Sequence, residues 1–341
     1  MKNFFKVVSP REALRILLET APVDTEMVQA VRARARVLAE DLYSQVDLPH
    51  FPRAAMDGYA VRARDTFGAS ASQPAYLKLV CTVEMGKEVT RSLGKEEAMR
   101  ISTGGMLPPD SDGVVMVEYA EEVGDHMVEI HRGVSPWQNT IQIGDDIKRG
   151  EVVFRHGRRL RAHDLGALTG IGISSLSVYK KPRVALISTG DEIVEAETEP
   201  LPGQVRNINQ HSLAGLIEEC GGELKDFGVI RDERIALQGA LKRALEWGDL
   251  ALLSGGSSVG AKDIALDAIL SLPQASIVFH GISVSPGKPT LFARAAGKPI
   301  LGLPGYPVSA LVIFALFAAP LIRVLGGEDA AAACQFHKAT R

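Results

Sequence analysis

Asp249-Leu250-Ala251-Leu252-Leu253-Ser254-Gly255-Gly256-Ser257-Ser258-Val259-Gly260-Ala261-Lys262-Asp263 decides how the chain is read. Leu250 to Leu253 is a short apolar run without helical alternation, the pattern of a strand buried on both faces. Beyond the turn, Ala265, Leu266, Ile269 and Leu270 recur at helical spacing. A buried strand, a Gly-rich turn and a helix N-terminus together form an anion cradle. Glycine lets the backbone approach a ligand, and free N–H groups at the positive end of the helix dipole favour phosphate or an oxyanion. Ser254, Ser257 and Ser258 add hydroxyl donors, and Asp263 can hold a cation or cap the helix. A plain strand–helix connection needs about two to six residues, and Gly255-Gly256 with three serines exceeds its requirements. Two stock phosphate motifs fail. Ser257 breaks the Gly-x-Gly-x-x-Gly fingerprint, and Ala261 separates Gly260 from Lys262 where a P-loop needs Gly-Lys-Ser/Thr.

A length of 341 residues predicts two or three domains. With 38 Lys and Arg against 41 Asp and Glu, the net charge is −3, which gives no general attraction to nucleic acid or an anionic membrane. Cys81, Cys220 and Cys334 are odd in number and far apart. They argue for a reducing, cytoplasmic setting and against a disulfide framework or a zinc site. Met1 to Pro10 lacks a secretory apolar region. The apolar run Pro307 to Ile322 is shorter than a membrane span and contains Pro320, so it reads as a buried helix.

Along the chain, Ser9-Pro10-Arg11-Glu12 is a capping box with proline at N1. Val28, Val31, Ala35, Leu38 and Leu42 predict a second helix starting near Asp24. Leu48-Pro49-His50-Phe51-Pro52 reads as an interdomain crossing. Strands are predicted at 76–83, 97–102, 113–118 and 127–131, the pattern of a small all-β domain. The basic stretch 148–161 reads as a solvated hairpin, because it lacks the aromatic side chains that nucleic-acid stacking needs. A short helix at 162–169 and a strand at 176–179 follow. From Pro182 strands and helices alternate: strands at 184–187, 226–230, 250–253, 277–284, 290–293 and 299–303, with helices at 212–219, 234–247 and from Pro307. This order predicts a doubly wound, mostly parallel sheet with ligands beyond the carboxyl ends of its strands.

The loops at those ends repeat one chemistry. Ser188-Thr189-Gly190-Asp191-Glu192 follows one strand, Arg231-Asp232 the next, and the serine–glycine turn with Asp263 the third. Ser285-Pro286-Gly287-Lys288-Pro289 and Pro304-Gly305-Tyr306-Pro307-Val308-Ser309 come later. Donors, the carboxylates of Glu192, Asp232 and Asp263, and Lys288 suit a phosphorylated ligand with a divalent cation. Asp191 reads as a helix cap. Outside this region, Met56-Asp57-Gly58-Tyr59, Ser102-Thr103-Gly104-Gly105 and Gly144-Asp145-Asp146 read as turns when taken one by one.

Together these motifs resemble the molybdopterin molybdenumtransferases, the MoeA and gephyrin E-domain family. The resemblance rests on Met56-Asp57-Gly58-Tyr59-Ala60-Val61, Ser102-Thr103-Gly104, Gly144-Asp145-Asp146-Ile147 and Ser188-Thr189-Gly190-Asp191-Glu192, then Ser254-Gly255-Gly256-x-Ser258-Val259-Gly260-x-x-Asp263, Pro286-Gly287-Lys288-Pro289 and Pro304-Gly305-x-Pro307-Val308-Ser309. They occur in the family's order across nearly the whole chain. The resemblance implies an elongated homodimer in which adenylylated molybdopterin and molybdate react with Mg²⁺ to give molybdenum cofactor and AMP. A molybdopterin adenylyltransferase would be the upstream partner. It also implies catalytic roles for Asp57, Thr103 and Asp146, entering from the partner subunit, and for Glu192, Asp232, Asp263 and Lys288. Glu192 and Asp263 would hold the metal. Thr189, Gly190, Asp191, Ser254, Gly255, Gly256, Ser257 and Ser258 would line the ligand, with Pro286, Gly287, Pro289, Gly305 and Ser309.

The organisation so implied is a multidomain α/β chain. Residues 1–50 with 147–180 form a helical and β linker or dimerisation domain, 51–146 a small all-β domain and 181–326 the α/β molybdopterin-binding domain. Residues 327–341 would begin a truncated C-terminal β domain. The chain departs from the family at Thr140, Ile141, Gln142 and Ile143, where arginines are usual, at Ser285 and Gly281, where lysine occurs, and at Tyr306, which replaces asparagine. These lost cations motivate a second reading, a non-catalytic pterin-binding paralogue or scaffold. The near P-loop motivates a third, an unrelated nucleotide-binding enzyme.

Overall fold

The computed structural model describes residues 7–255 and 264–334. The chain divides into two units, one of Met1–Asp41, Arg155–Thr169 and Ile173–Arg341, the other of Leu42–Phe154 and Gly170–Gly172.

In the first unit, six strands form one sheet in the order Glu223–Ile230, Arg183–Thr189, Leu250–Ser254, Lys298–Leu303, Leu291–Ala295, Ser276–His280. The first four run parallel and the last two pair antiparallel. The parallel centre follows from the apolar runs. Every residue of Leu250–Ser254 is buried, as is every residue of Arg183–Thr189 after the first. Alternate side chains of one strand serve opposite faces. Val184 and Leu186 pack with Leu213, Ile217, Ile313 and Phe317. Ala185 and Ile187 pack with Leu237, Leu241 and Ile269 on the other face. Helices Ile208–Glu219 and Pro307–Ile313 therefore cover one face, and Arg234–Trp247 and Ile264–Leu270 the other. The doubly wound expectation holds.

The helical stretch Pro307–Leu325 extends past the expected end and is long and apolar enough to cross a membrane by length and composition. Burial decides its role. Ile313, Phe314, Phe317, Leu321 and Ile322 sit in the main core, so it is the core helix expected. Pro320 falls in the first turn of Ala319–Leu325, after a π-helical segment at Phe314–Ala318.

The N-terminal helix, Pro10–Leu18, is capped as its sequence predicts, with Ser9 Oγ accepting from the Glu12 N–H at 3.2 Å. The expected second helix does not form. Thr25–Gln29 is a strand paired antiparallel with Ser175–Tyr179, and Leu38 bridges Val178. Ala30–Arg32 makes one 3₁₀ turn, and Ala35 has φ +62°, outside helical space. Val31 is 74% exposed, so the apolar residues spaced by three and four share no single face. The basic stretch is not a hairpin either. Val152–Phe154 pairs with Leu42–Tyr43, and Arg158 binds the buried Asp164 at 2.8 Å.

The second unit is built on a sheet in the order Gly113–Met116, Gly58–Val61, Glu97–Ile101, Ala75–Thr82, Met127–Ile130, Ala120–Val123. All neighbours are antiparallel except Ala75–Thr82 and Glu97–Ile101. Four of these strands match the predicted ones. The Asp57-Gly58-Tyr59 motif, a turn by its composition, instead runs into Gly58–Val61, a fully buried strand. Its side chains divide between two cores, Tyr59 and Val61 in one and Ala60 in the other.

Tyr59 closes this unit with a polar contact. Its hydroxyl donates to Glu122 Oε1 at 2.7 Å, and Arg100 binds the same carboxylate. Burial first, then the hydrogen bond to Glu122 and its negative charge, push the Tyr59 hydroxyl up to about 12. The unfolded chain releases that proton near pH 10. The folded state therefore holds more protons between these values, and stability falls as pH rises from about 10 to about 12. Tyr59→Phe is expected to remove this slope and one late-titrating phenolate, read by denaturation against pH and by absorbance at the phenolate band.

Candidate functional site

At the carboxyl ends of the parallel strands lies a cleft of about 610 Å³, a size suited to a small organic ligand. Its floor is made by two neighbouring strand ends. Ser188 pairs with Ser254 in register, and the chain continues into Thr189 on one strand and Gly255 on the other. Gly255 has φ +96°, and a Cβ there would stand 2.3 Å from the Thr189 carbonyl oxygen. Only glycine fits. Thr189 Oγ1 is buried, lines the cleft and has no hydrogen-bond partner among the described residues, so this hydroxyl is left for a ligand.

One side wall comes from the helix Ile208–Glu219. The sequence places its start at Ser212, yet it begins four residues earlier because Asn207 caps it, accepting from the Gln210 N–H at 3.3 Å. Asn207 with Gln210 is itself a capping-box signal, legible in the sequence and missed. Asn207, Ile208 and Asn209 line the cleft, so the positive end of this helix faces the ligand space and favours an anion. Asn209 is buried, and its Nδ2 donates to Ser254 Oγ at 2.8 Å and to the Gly305 carbonyl at 2.9 Å. That one amide ties the ends of two strands together. Nothing in the local sequence separates it from an ordinary helix residue.

The rim carries charge and apolar surface. Arg206 lines the rim, donating to the Ala196 carbonyl at 3.0 Å and pairing with the exposed Glu199 at 3.2 Å. Glu192 and Asp232 also line it, and the Glu192 carbonyl accepts from the Val205 N–H at 2.9 Å. Asp191 caps no helix; it lies between strands Arg183–Thr189 and Ile193–Val194, and its Oδ1 accepts from the Asp232 N–H at 3.2 Å. Burial first, then the charges of Asp191 and Glu192, raise the Asp232 carboxyl above its ordinary range. Three carboxylates thus crowd one corner. Val205, Ile208 and Tyr306 expose apolar surface to the same cleft, which suits a flat ring.

Of the residues predicted from sequence, Thr189, Gly190, Glu192, Asp232, Ser254, Gly255 and Gly305 meet in this cleft, and Asp191 braces it. Gly256, Ser257, Ser258 and Asp263 lie outside the described residues. Pro286, Gly287, Lys288 and Pro289 do not line the cleft. A Cβ on Gly287 would stand 2.4 Å from Ile313 Cδ1, so this glycine permits a loop to pack on a helix. The Lys288 carbonyl accepts from Ile282 and Thr290 N–H groups while its side chain is exposed. Ser309 is buried in the first turn of Pro307–Ile313.

Asp57, Thr103 and Asp146 belong to the second unit. Asp57 Oδ1 accepts from the Thr103 N–H at 2.7 Å, and Asp146 pairs with Arg53 at 3.2 Å. Backbone bonds from Ala54 to Gly105 and from Ala55 to Asn139 bring the three segments together. All three side chains are exposed.

Residues 8–172 match the MoeA N-terminal region (domain I and II), and residues 185–324 match a probable molybdopterin binding domain. A putative molybdopterin biosynthesis protein of Methanocaldococcus jannaschii is 38% identical over 298 residues, covering 85% of this chain and 72% of that protein. The molybdopterin molybdenumtransferase of a Nostoc species is 35% identical over 94% of this chain and 74% of its own length. The crystal structure of a molybdopterin biosynthesis MoeA protein from Pyrococcus horikoshii superposes with a TM-score of 0.78 at 40% identity, covering 95% of this chain and 81% of that one.

Asn209→Ala is expected to remove two buried hydrogen bonds and leave their acceptors unpaired. By urea denaturation the first unit should lose about 2–4 kcal/mol. A loss below about 0.5 kcal/mol would contradict the tie between the strand ends.

Proposed function

The chain belongs to the MoeA family, and from that premise we propose that it is a molybdopterin molybdenumtransferase acting in molybdenum cofactor biosynthesis. The substrates are adenylylated molybdopterin and molybdate, and the products are molybdenum cofactor and AMP. The observation that carries this reading is the cleft at the strand ends, where a helix N-terminus, a ligand-ready Thr189 hydroxyl, crowded carboxylates and apolar ring-sized surface converge.

Each part has a task. The N–H groups at the start of Ile208–Glu219 hold phosphate oxygens, and Arg206, which already pairs with Glu199, adds a cation at the rim. Val205, Ile208 and Tyr306 give a flat heterocycle an apolar surface. Asn209 holds the Ser254 and Gly305 ends in place, so these donors need no rearrangement when the ligand arrives.

A divalent cation fits the donor set. Among the described residues no group of three His, Cys, Asp or Glu side chains holds a metal alone. Mg²⁺ typically uses one or two carboxylates and completes its shell with water and substrate phosphate. Glu192 and Asp232, with the Asp263 implied by the family motif, are the residues that would hold it. Bound there, Mg²⁺ would stabilise negative charge on the departing AMP phosphate. A cation would also offset the burial and the repulsion from Asp191 and Glu192 that together raise the Asp232 carboxyl.

The proposal includes a homodimer, with Asp57, Thr103 and Asp146 of the partner subunit serving the reaction and Lys288 helping to hold molybdate. An adenylyltransferase supplies the substrate. One observation favours the paralogue reading instead. Where the family carries arginines, Gln142 Nε2 donates to Thr140 Oγ1 at 2.8 Å and the Gln142 N–H to Asp145 Oδ2 at 2.7 Å. That loop satisfies itself and brings no cation.

The deciding assay measures AMP release from adenylylated molybdopterin on the 341-residue chain. Release should require both molybdate and Mg²⁺ and fall about 100-fold or more in Glu192→Gln. Binding without release would favour the non-catalytic paralogue. Release indifferent to both ions would refute the reading.

A further inference from the structure

A second cleft lies at the opposite end of the same sheet. It has a volume of about 740 Å³ and sits at the amino ends of the parallel strands, beside Arg183, Glu223, Asp249 and Lys298. The segment Glu19–Glu26 and Arg36 form its outer wall. The strand Arg183–Thr189 has seven residues. At about 3.3 Å each, roughly 20 Å separates the two clefts, so one small ligand cannot occupy both.

The charges inside can be followed pair by pair. Arg183 grips Asp249 through Nε at 3.3 Å and Nη2 at 3.1 Å, with its guanidinium 6.0 Å from the Trp247 ring. Arg36 pairs with Glu26 and donates to the Tyr179 carbonyl at 2.7 Å. Lys180 stands 3.7 Å from Asp24, and Glu19 shares Arg15, which lies outside the cleft, with Glu12. Three cations are left: Lys181, Arg294 and Lys298. Among the described residues Lys181 and Arg294 have no ion-pair partner. Lys298 Nζ donates to the Leu245 carbonyl at 2.6 Å, which fixes the ammonium without neutralising it. Glu223 acts on Arg183. The described lining carries six Lys and Arg against five Asp and Glu, so the cleft holds an excess of about one positive charge. It also holds an orphan, because Thr20 Oγ1 is buried there with no hydrogen-bond partner among the described residues.

We propose that this cleft binds a small phosphorylated organic anion, with Arg294, Lys181 and Lys298 around the phosphate and Thr20 donating to it. A phosphomonoester carries close to two negative charges at pH 7 and three acceptor oxygens, which suits the positive excess, the three grouped cations and the spare hydroxyl. The guanidinium fork of Arg294, held near the Phe292 ring, suits two of those oxygens. The volume exceeds what bare phosphate needs, so an organic body is accommodated as well. The site stands apart from the proposed transferase reaction and does not depend on it.

The test is calorimetric titration of the full chain with glycerol 3-phosphate at low and at physiological salt. Saturable binding that weakens with salt is expected, and Arg294→Ala should lose at least tenfold in affinity. Lys181→Glu should abolish binding and Lys181→Arg should keep it. Because neither residue is ion-paired, these variants should melt with the parent. Thr189→Ala, at the far end of the sheet, should bind as the parent does. Absence of saturable binding, loss in Thr189→Ala with retention in the cleft variants, or equal affinity for succinate would each overturn the proposal.

Discussion

The approach of Gly255 to the Thr189 carbonyl is the constraint on which the site depends. Two parallel strands, Arg183–Thr189 and Leu250–Ser254, stay in register up to Ser188 and Ser254. A glycine at φ +96° then lets the second chain pass where a side chain would collide. That passage leaves the Thr189 hydroxyl without a partner among the described residues, at the bottom of a cleft. The clamp that holds it lies further back, in the two apolar cores that grip alternate residues of the same strands. A fully buried Leu or Ile contributes about 1.5–3 kcal/mol. Several such side chains on each face fix the strand ends far more firmly than any loop contact could.

The two ends of this sheet have different chemistry for a topological reason. At the carboxyl ends, chains turn into loops and helix starts, so backbone N–H groups point outward and anions are welcome. Carboxylates beside such donors then need a cation, and the raised Asp232 carboxyl records its burial first and their mutual repulsion second. At the amino ends, charged side chains bracket the strands as Arg183 with Asp249 and Lys298 on the Leu245 carbonyl. Those pairs stabilise the fold and leave a few cations over.

What the sequence makes legible follows from burial. Strands covered on both faces must be continuous apolar runs, so Val184 to Ile187 and Leu250 to Leu253 announce themselves, and Arg234–Trp247 emerges with the bounds predicted. The region after Asp24 misleads because apolar residues at steps of three and four can also serve a strand, a 3₁₀ turn and isolated bridges. Glycine-rich loops are ambiguous in the same way. Gly255 opens a ligand space, whereas Gly287 in Pro-Gly-Lys-Pro accommodates Ile313. Asn209 stays hidden because its task lies across the fold, with partners 45 and 96 residues away in sequence. Local pattern holds no trace of such a contact.

The central claim is that the ligand sits at the ends of these strands. Backbone hydrogen exchange with and without adenylylated molybdopterin tests it most directly. Protection of the amides at residues 188–190, 254–255, 208–209 and 305, with those of Gly287 and Lys288 unchanged, is the predicted result. Protection at Gly287 and Lys288 with none at 188–190 and 254–255 would contradict it.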